Sequence, residues 1–157
     1  MKVLMVDKYY FVKGGVERYL FDLKGLLEKN GHTVIPFAMK HENNVRSNYE
    51  NFFVSKIEFI FRSRLHALVH GFKIIGRVIY SLEAKRKLRK LIRKEKPDIA
   101  HIHMIDHQIS SSILHVLKKY NIPVLQTVHQ YKLVCPNYRC YIERKGEICA
   151  RCIDGSV

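Results

Sequence analysis

Acidic residues are scarce: 14 Asp and Glu stand against 28 Lys and Arg, a formal charge of +14 on 157 residues. That imbalance disfavours cationic partners and attracts phosphate-rich ones: a nucleic acid, an anionic membrane surface or a phosphorylated substrate. Long apolar runs are also missing. The best candidate, Phe52 to Leu82, is interrupted by Lys56, Glu58, Arg62, Arg64, Lys73 and Arg77, which excludes the run of about 18 apolar residues that a membrane-spanning helix needs. The opening MKVLMVDKYYFV has only a brief apolar stretch before Asp7, so no secretion signal is read there and a cytoplasmic location is expected. Cysteine is absent from the first 134 residues, and neither an internal repeat nor a low-complexity tract occurs.

What is present is globular. Apolar residues make up 47% and charged residues 27%, which excludes a disordered or collagen-like chain. At this length one domain with one core is expected. Lys2 to Asp7 reads as a strand buried on both faces, and Lys8 to Gly15 as a loop. Val16, Tyr19, Leu20, Leu23, Leu26 and Leu27 then mark a helical stripe that Asn30-Gly31 can close. His32 to Ala38 reads as a second strand, so the opening is a β-α-β unit with parallel strands and a right-handed crossover. The alternation returns later. Residues 98–103 read as a strand, 107–120 as a helix with Asp106 at its N-cap, and Val124 to Val128 as a strand. Residues 40–55, polar and Asn-rich, read as a mobile loop. The fold class expected is α/β: a three-layer Rossmann-like domain with a parallel sheet, followed by a Cys-rich extended loop over residues 130–157.

The segment 72–96 changes its apolar side midway. Spaced at about 100° per residue, Phe72, Ile75, Val78, Ile79 and Leu82 share one face, whereas Ala84, Leu88, Leu91 and Ile92 lie opposite. Either the helix breaks near Ser81 or it serves two surfaces. If the downstream face packs on the sheet, Arg86, Arg89, Lys90 and Arg93 are left in solvent. A kinked pair of core helices with a solvated basic end accounts for this. So does an interfacial surface whose cations meet anionic headgroups at about 1 kcal/mol per charge.

Gly14-Gly15 stands between the first strand and the first helix. Glycine there lets backbone approach a ligand, and the amides at the helix start favour an anion such as a diphosphate. The pattern is not G-x-G-x-x-G, so a nicotinamide or flavin site is not supported. A tight turn without ligand explains the pair equally well. His103 and His129 each close a strand, which sets both on the rim of the glycine loop, where ligands gather in parallel sheets. A strand-end histidine can also be a plain structural hydrogen-bonder. His101 points to the same face as His103 and is assigned to packing.

Cys135, Cys140, Cys149 and Cys152 crowd the last 23 residues with the spacing C-x4-C-x8-C-x2-C. Four thiolates around one structural zinc, four free thiols, and disulfides all fit that spacing, the last disfavoured in a reducing compartment.

The runs KVLMVDKYYFVKGGVERYLFDLKGLLEKNGHTV, KPDIAHIHMID and IPVLQTVHQYKLVCPNY resemble the N-terminal domain of glycosyltransferase family 4, enzymes of the GT-B fold. GGVERY and the strand-end HQY with its following CP carry most of that resemblance. It implies two Rossmann-like domains facing across a cleft, of which residues 1–157 are the acceptor-side one and the donor-binding domain is absent, so that the isolated chain should be inactive. It further implies that Gly14 and Gly15 approach the donor diphosphate, that His129 lies beside the transferred sugar, and that His103, Gln130 and Tyr131 lie on the acceptor side. Transfer would retain anomeric configuration and use no metal or other catalytic cofactor, leaving zinc a purely structural role. The implied partners are a nucleotide-sugar donor and a glycan or lipid-linked acceptor at the cytoplasmic membrane face. Gln130 departs from the family's usual Asp after the histidine, which removes a carboxylate contact. Two other classes remain at this point: a basic, zinc-containing nucleic-acid-binding module, which the resemblance does not favour, and a stand-alone ligand-binding domain.

Overall fold

The computed structural model describes residues 1–57 and 74–153; Phe72 and the tail 154–157 lie outside them. The described chain divides into two compact units, Met1–Thr127 and the residues from Val128 onward. Each is treated by itself.

The first unit is built on four parallel strands in the order β2-β1-β3-β4: β1 Lys2–Val6, β2 Thr33–Phe37, β3 Ile99–Ile102 and β4 Val124–Gln126. The aliphatic strands β1 and β2 are buried from their second residue onward, as strands covered on both faces must be. Pro36 is tolerated because β2 is an edge strand, where one ladder donor can be dispensed with. Helix α1 (Gly15–Lys29) joins β1 to β2 and ends as the sequence predicts, with Gly31 at φ +77 and the Asn30 side-chain amide donating to the Leu26 carbonyl at 2.8 Å.

Helices lie on both faces. On one, α1 sets Leu20 against Met5, Val34, Ala38 and Phe53. On the other, α2 (Leu82–Glu95) and α3 (Ser112–Lys119) bury Leu88, Leu91, Ile92, Ile113, Val116 and Leu117 against Leu4, Val6, Ile35, Phe37, Ala100 and Ile102. The three-layer α/β expectation therefore holds. Tyr19 and Leu26 of the predicted α1 stripe stand exposed instead.

The change of apolar side at Ser81 is a break. Residues 74–79 are helical, Tyr80 and Ser81 are not, and α2 begins afresh with the Ser81 hydroxyl accepting the Ala84 amide at 3.1 Å. A buried serine cluster fixes the joint. The Ser81 amide donates to Ser110 Oγ (2.9 Å), and Ser112 Oγ donates to the Ser81 carbonyl (2.9 Å). The Ser81 amide thus recovers the hydrogen bond that leaving the helix costs it, while its carbonyl also accepts the Lys85 amide (3.1 Å) that starts α2.

Three expectations are corrected. Asp106 does not cap α3: the stretch 106–109 is a series of turns, with His107 and Ser110 at positive φ, and the helix starts five residues later with Ser111 at its N-cap. Residues 40–55 are anchored rather than loose. Phe53 and Val54 are fully buried, Val54 bridges Met39, and the Gln108 side chain receives the Ile57 amide at 2.7 Å. Nor are residues 130–153 an extended loop, since they contain a 3-10 turn, Tyr131–Leu133, and an antiparallel hairpin, β5 Tyr141–Ile142 with β6 Glu147–Ile148.

Candidate functional site

The strand order sets the site. From β1 the chain crosses through α1 to β2 on one side, and later returns to β3 on the other side of β1. Connections leaving in opposite directions open a crevice beyond the carboxyl ends of β1 and β3, and such switch points are where parallel α/β sheets take ligands. Asp7 follows β1 directly there, and His103 follows β3.

Asp7 is buried, its Oδ1 accepting the Met104 amide at 2.9 Å and its Oδ2 the Tyr9 amide at 3.2 Å. Burial pushes its carboxyl up to about 7; the amides of Met104, Tyr9 and Lys8 pull the other way, and the charge of Glu17 adds to the rise. The group is therefore poised between neutral and charged forms near physiological pH.

Helix α1 begins at this crevice. Its first intrahelical bond is Arg18 N–H to the Gly14 carbonyl (3.2 Å), so the amides of Gly15, Val16 and Glu17 lie outside the helical ladder. The Gly14 amide donates to the buried Glu17 carboxylate at 2.8 Å. Neither glycine is required by the fold. Gly14 is extended at φ −158, which any residue adopts, and a Cβ on Gly15 would meet no atom within 4 Å. The missing side chains leave open backbone at a helix N-terminus beside a strand end.

The rest of the rim is aromatic and basic. His103 is buried, its ring edge-on to Tyr19 of α1 at 5.8 Å and 4.3 Å from the ring of His101, whose Nε2 lies 2.7 Å from Thr127 Oγ1. On β3 both imidazoles lie on the α1 side while Ala100 and Ile102 face the larger core. In the β1–α1 loop Phe11 stacks on His41 at 4.7 Å and packs edge-on to Tyr9. The ammonium groups of Lys8 and Lys13 sit 4.9 and 4.4 Å from the Tyr9 ring centre, and Lys13 donates to its hydroxyl at 3.1 Å. Burial works to raise the Tyr9 phenol, but the two lysines outweigh it and hold the group below its ordinary range.

The structure thus brings Gly14, Gly15 and His103 to one end of the first unit. His129, Gln130 and Tyr131 belong to the second unit, where Gln130 is extended and Tyr131 opens the 3-10 turn, exposed, with its amide donating to the Tyr138 carbonyl. Arg86, Lys90 and Arg93 are exposed along α2, Arg89 is half-buried, and Leu82 at the start of α2 and Ile75 and Ile79 before the break are exposed as well. Asp7, Lys8, Tyr9 and Lys13 escaped the sequence reading as site residues. An acid directly after the first strand of a β-α-β unit was the available signal for Asp7. A cavity of about 520 Å³ lined by Tyr10, Lys24, Glu28 and Tyr49 lies beside β2 and the second half of α1, away from this crevice.

A parallel sheet with a switch point between β1 and β3, and a glycine-opened helix start beside it, defines the class: a Rossmann-like α/β domain. Residues 13–146 match the model of Glycosyltransferase Family 4. The chain belongs to that family, and its domain is a glycosyltransferase domain. It is also similar to an uncharacterized 42.6 kDa protein in the cps region of Klebsiella pneumoniae, with 28% identity over 151 residues, 90% of this chain and 40% of the relative. The chain thus spans about 40% of the length of that relative. Nothing in these matches supports the nucleic-acid-binding alternative. No helix among the described residues is long and apolar enough to cross a membrane.

Proposed function

We propose that this chain is the acceptor-side half of a retaining, GT-B-type glycosyltransferase that passes a hexosyl group from a nucleotide-sugar donor to a lipid-linked or polysaccharide acceptor. The observation that carries the reading is Gly15: its backbone needs no glycine and its absent side chain leaves a helix N-terminus open at the switch point. A donor diphosphate is the anion that such amides suit. His129 is proposed to stand beside the transferred sugar, with His103, Gln130 and Tyr131 toward the acceptor. The contribution to catalysis is positioning, because holding two substrates in register supplies a large share of a rate enhancement, and no metal takes part in the transfer step. The cps-region relative favours a capsule-type polysaccharide as the product class.

The acceptor is proposed to be met at an anionic membrane surface on the cytoplasmic side. Exposed Ile75 and Ile79 before the break at Ser81, and exposed Leu82, Arg86, Lys90 and Arg93 along α2, support this, since an interfacial surface joins apolar residues to headgroup-binding cations. Neutralising those three cations should weaken binding to anionic vesicles about five-fold per charge, at about 1 kcal/mol each, and leave binding to neutral vesicles unchanged.

Assay of the naturally encoded protein with a panel of nucleotide sugars tests the whole reading. Transfer that drops sharply in Gly15→Val and His129→Ala variants is the expected result. Turnover undiminished in both would sink it.

A further inference from the structure

The cysteines are the one sequence motif that the transferase reading leaves unused. In the second unit, Cys135 and Cys140 are the only buried residues among those described, at 7% and 9% exposure, while Leu133, Tyr138 and Ile148 are exposed. A unit of this size with no apolar core needs a staple, which in small folds is a metal or a disulfide. All four thiols are free.

The backbone bends at the first two cysteines. Tyr138 and Cys140 both adopt the left-handed conformation, φ +51 and +50, rare for residues with side chains. Those twists follow a turn that starts at Cys135, whose carbonyl accepts the Tyr138 amide at 2.8 Å, and they bring residues 137–140 back toward it.

The other two cysteines are delivered by the hairpin. Tyr141 pairs with Ile148, so Cys140 and Cys149 form the next rung, with the Cys149 amide donating to the Cys140 carbonyl at 2.8 Å. A turn closed by the Ile153 amide donating to the Ala150 carbonyl at 2.8 Å then carries Cys152. Among the described residues no three such side chains already share one metal position. Cys135 and Cys140 are accordingly the buried half of the set, and Cys149 and Cys152, carried by the hairpin and the turn after it, are the more exposed half. Lys132, Arg139, Arg144, Lys145 and Arg151 surround the cluster in sequence against Glu143, Glu147 and Asp154, an excess of positive charge that offsets the double negative charge of a divalent ion bound by four thiolates.

We propose that Cys135, Cys140, Cys149 and Cys152 bind one tetrahedral zinc ion, a closed site that holds residues 128–153 in their fold. With four protein ligands it leaves no position for water and so is structural. The assignment is independent of the transferase reading.

Elemental analysis of the naturally encoded protein, purified under reducing conditions without chelator or added metal, tests it. About one zinc per chain is expected, falling to roughly a tenth or less in the Cys149→Ser/Cys152→Ser double variant, whose two changed residues lie outside the buried pair. Cobalt substituted into the wild-type protein should give the intense visible bands of a tetrahedral thiolate complex, a readout that does not depend on any variant folding. Chelation should expose residues 128–153 to protease before residues 1–127. Four thiols that titrate freely in metal-poor wild-type protein, or a disulfide between any two of them in the reduced preparation, would overturn the assignment.

Discussion

The Asp7 carboxylate and the Met104 amide, 97 positions apart in sequence, meet at 2.9 Å across the crevice between β1 and β3. That bond closes the end of the sheet under a group whose charge is not settled by its residue type. Burial raises the Asp7 carboxyl from its ordinary value of 3.8 to about 7, so the native state holds a proton that the unfolded chain releases. Its favourable contribution is full below about pH 4 and disappears as pH rises through about 7, by up to about 4 kcal/mol. Denaturant unfolding from pH 4 to pH 8 should show this decline, and Asp7→Asn should flatten it. Equal slopes for the two proteins would refute the buried, proton-holding carboxyl.

Gly15 separates folding from function. Alanine at this position meets open space, so Gly15→Ala should leave the melting temperature unchanged or raise stability by up to about 1 kcal/mol. Transfer by the naturally encoded protein should nonetheless fall, with the loss concentrated in the apparent affinity for the donor. A destabilised Gly15→Ala protein would mean that the glycine serves the fold after all.

The helix break at Ser81 depends on Ser112. Removing its hydroxyl takes one buried hydrogen bond each from the Ser81 carbonyl, which keeps the Lys85 amide, and from Ser110 Oγ, which keeps the Ser81 amide, so Ser112→Ala should cost about 1 to 2 kcal/mol. Ser111, the exposed neighbour whose side chain makes no capping bond, provides the contrast. Ser111→Ala should change stability by no more than about 0.5 kcal/mol, as thermal or denaturant unfolding would show.

Glu83 governs the acid limb. Burial works against its charge, yet Lys87 and both the hydroxyl and the amide of Ser55 hold its carboxyl down at about 2, and Arg77 pairs with it at 2.7 Å. A depressed carboxyl stabilises the fold above its unfolded value of about 4.5 and loses that contribution as pH falls toward 2. Glu83→Gln should therefore melt below the wild type at pH 7, with the difference vanishing near pH 2. A difference that persists at pH 2 would assign the effect to packing rather than charge.

Much of this fold is legible in residue spacing. Alternation of short aliphatic runs with helical stripes announces the parallel sheet, and the reversal of the apolar side around Ser81 locates a break that the structure places at that residue. The downstream face of Ala84, Leu88, Leu91 and Ile92 is buried as its period requires. Reading failed where polar composition stood in for structure. Residues 40–55 look like solvent-exposed loop, yet Phe53 and Val54 fill the core, because two apolar residues suffice to pin a loop when a distant side chain satisfies its backbone, as Glu83 does for the Ser55 amide. Asp106 has the chemistry of a cap but stands before a run of turns.

The candidate site divides along the same line. Local sequence alone determines that glycine opens a helix behind the first strand, that a histidine ends a later one, and that four cysteines cluster near the end, since each is a matter of residue type and spacing. Only tertiary structure decides that β3 lies beside β1 and makes the crevice, that His103 is enclosed by Tyr19 and His101, and that Asp7 keeps its proton near neutrality. The reason is physical: the charge state of a carboxyl and the exposure of an imidazole depend on how much water neighbouring segments exclude. Here Met104 lies 97 positions from Asp7, and Tyr19 is 84 from His103, separations at which no local pattern can register them.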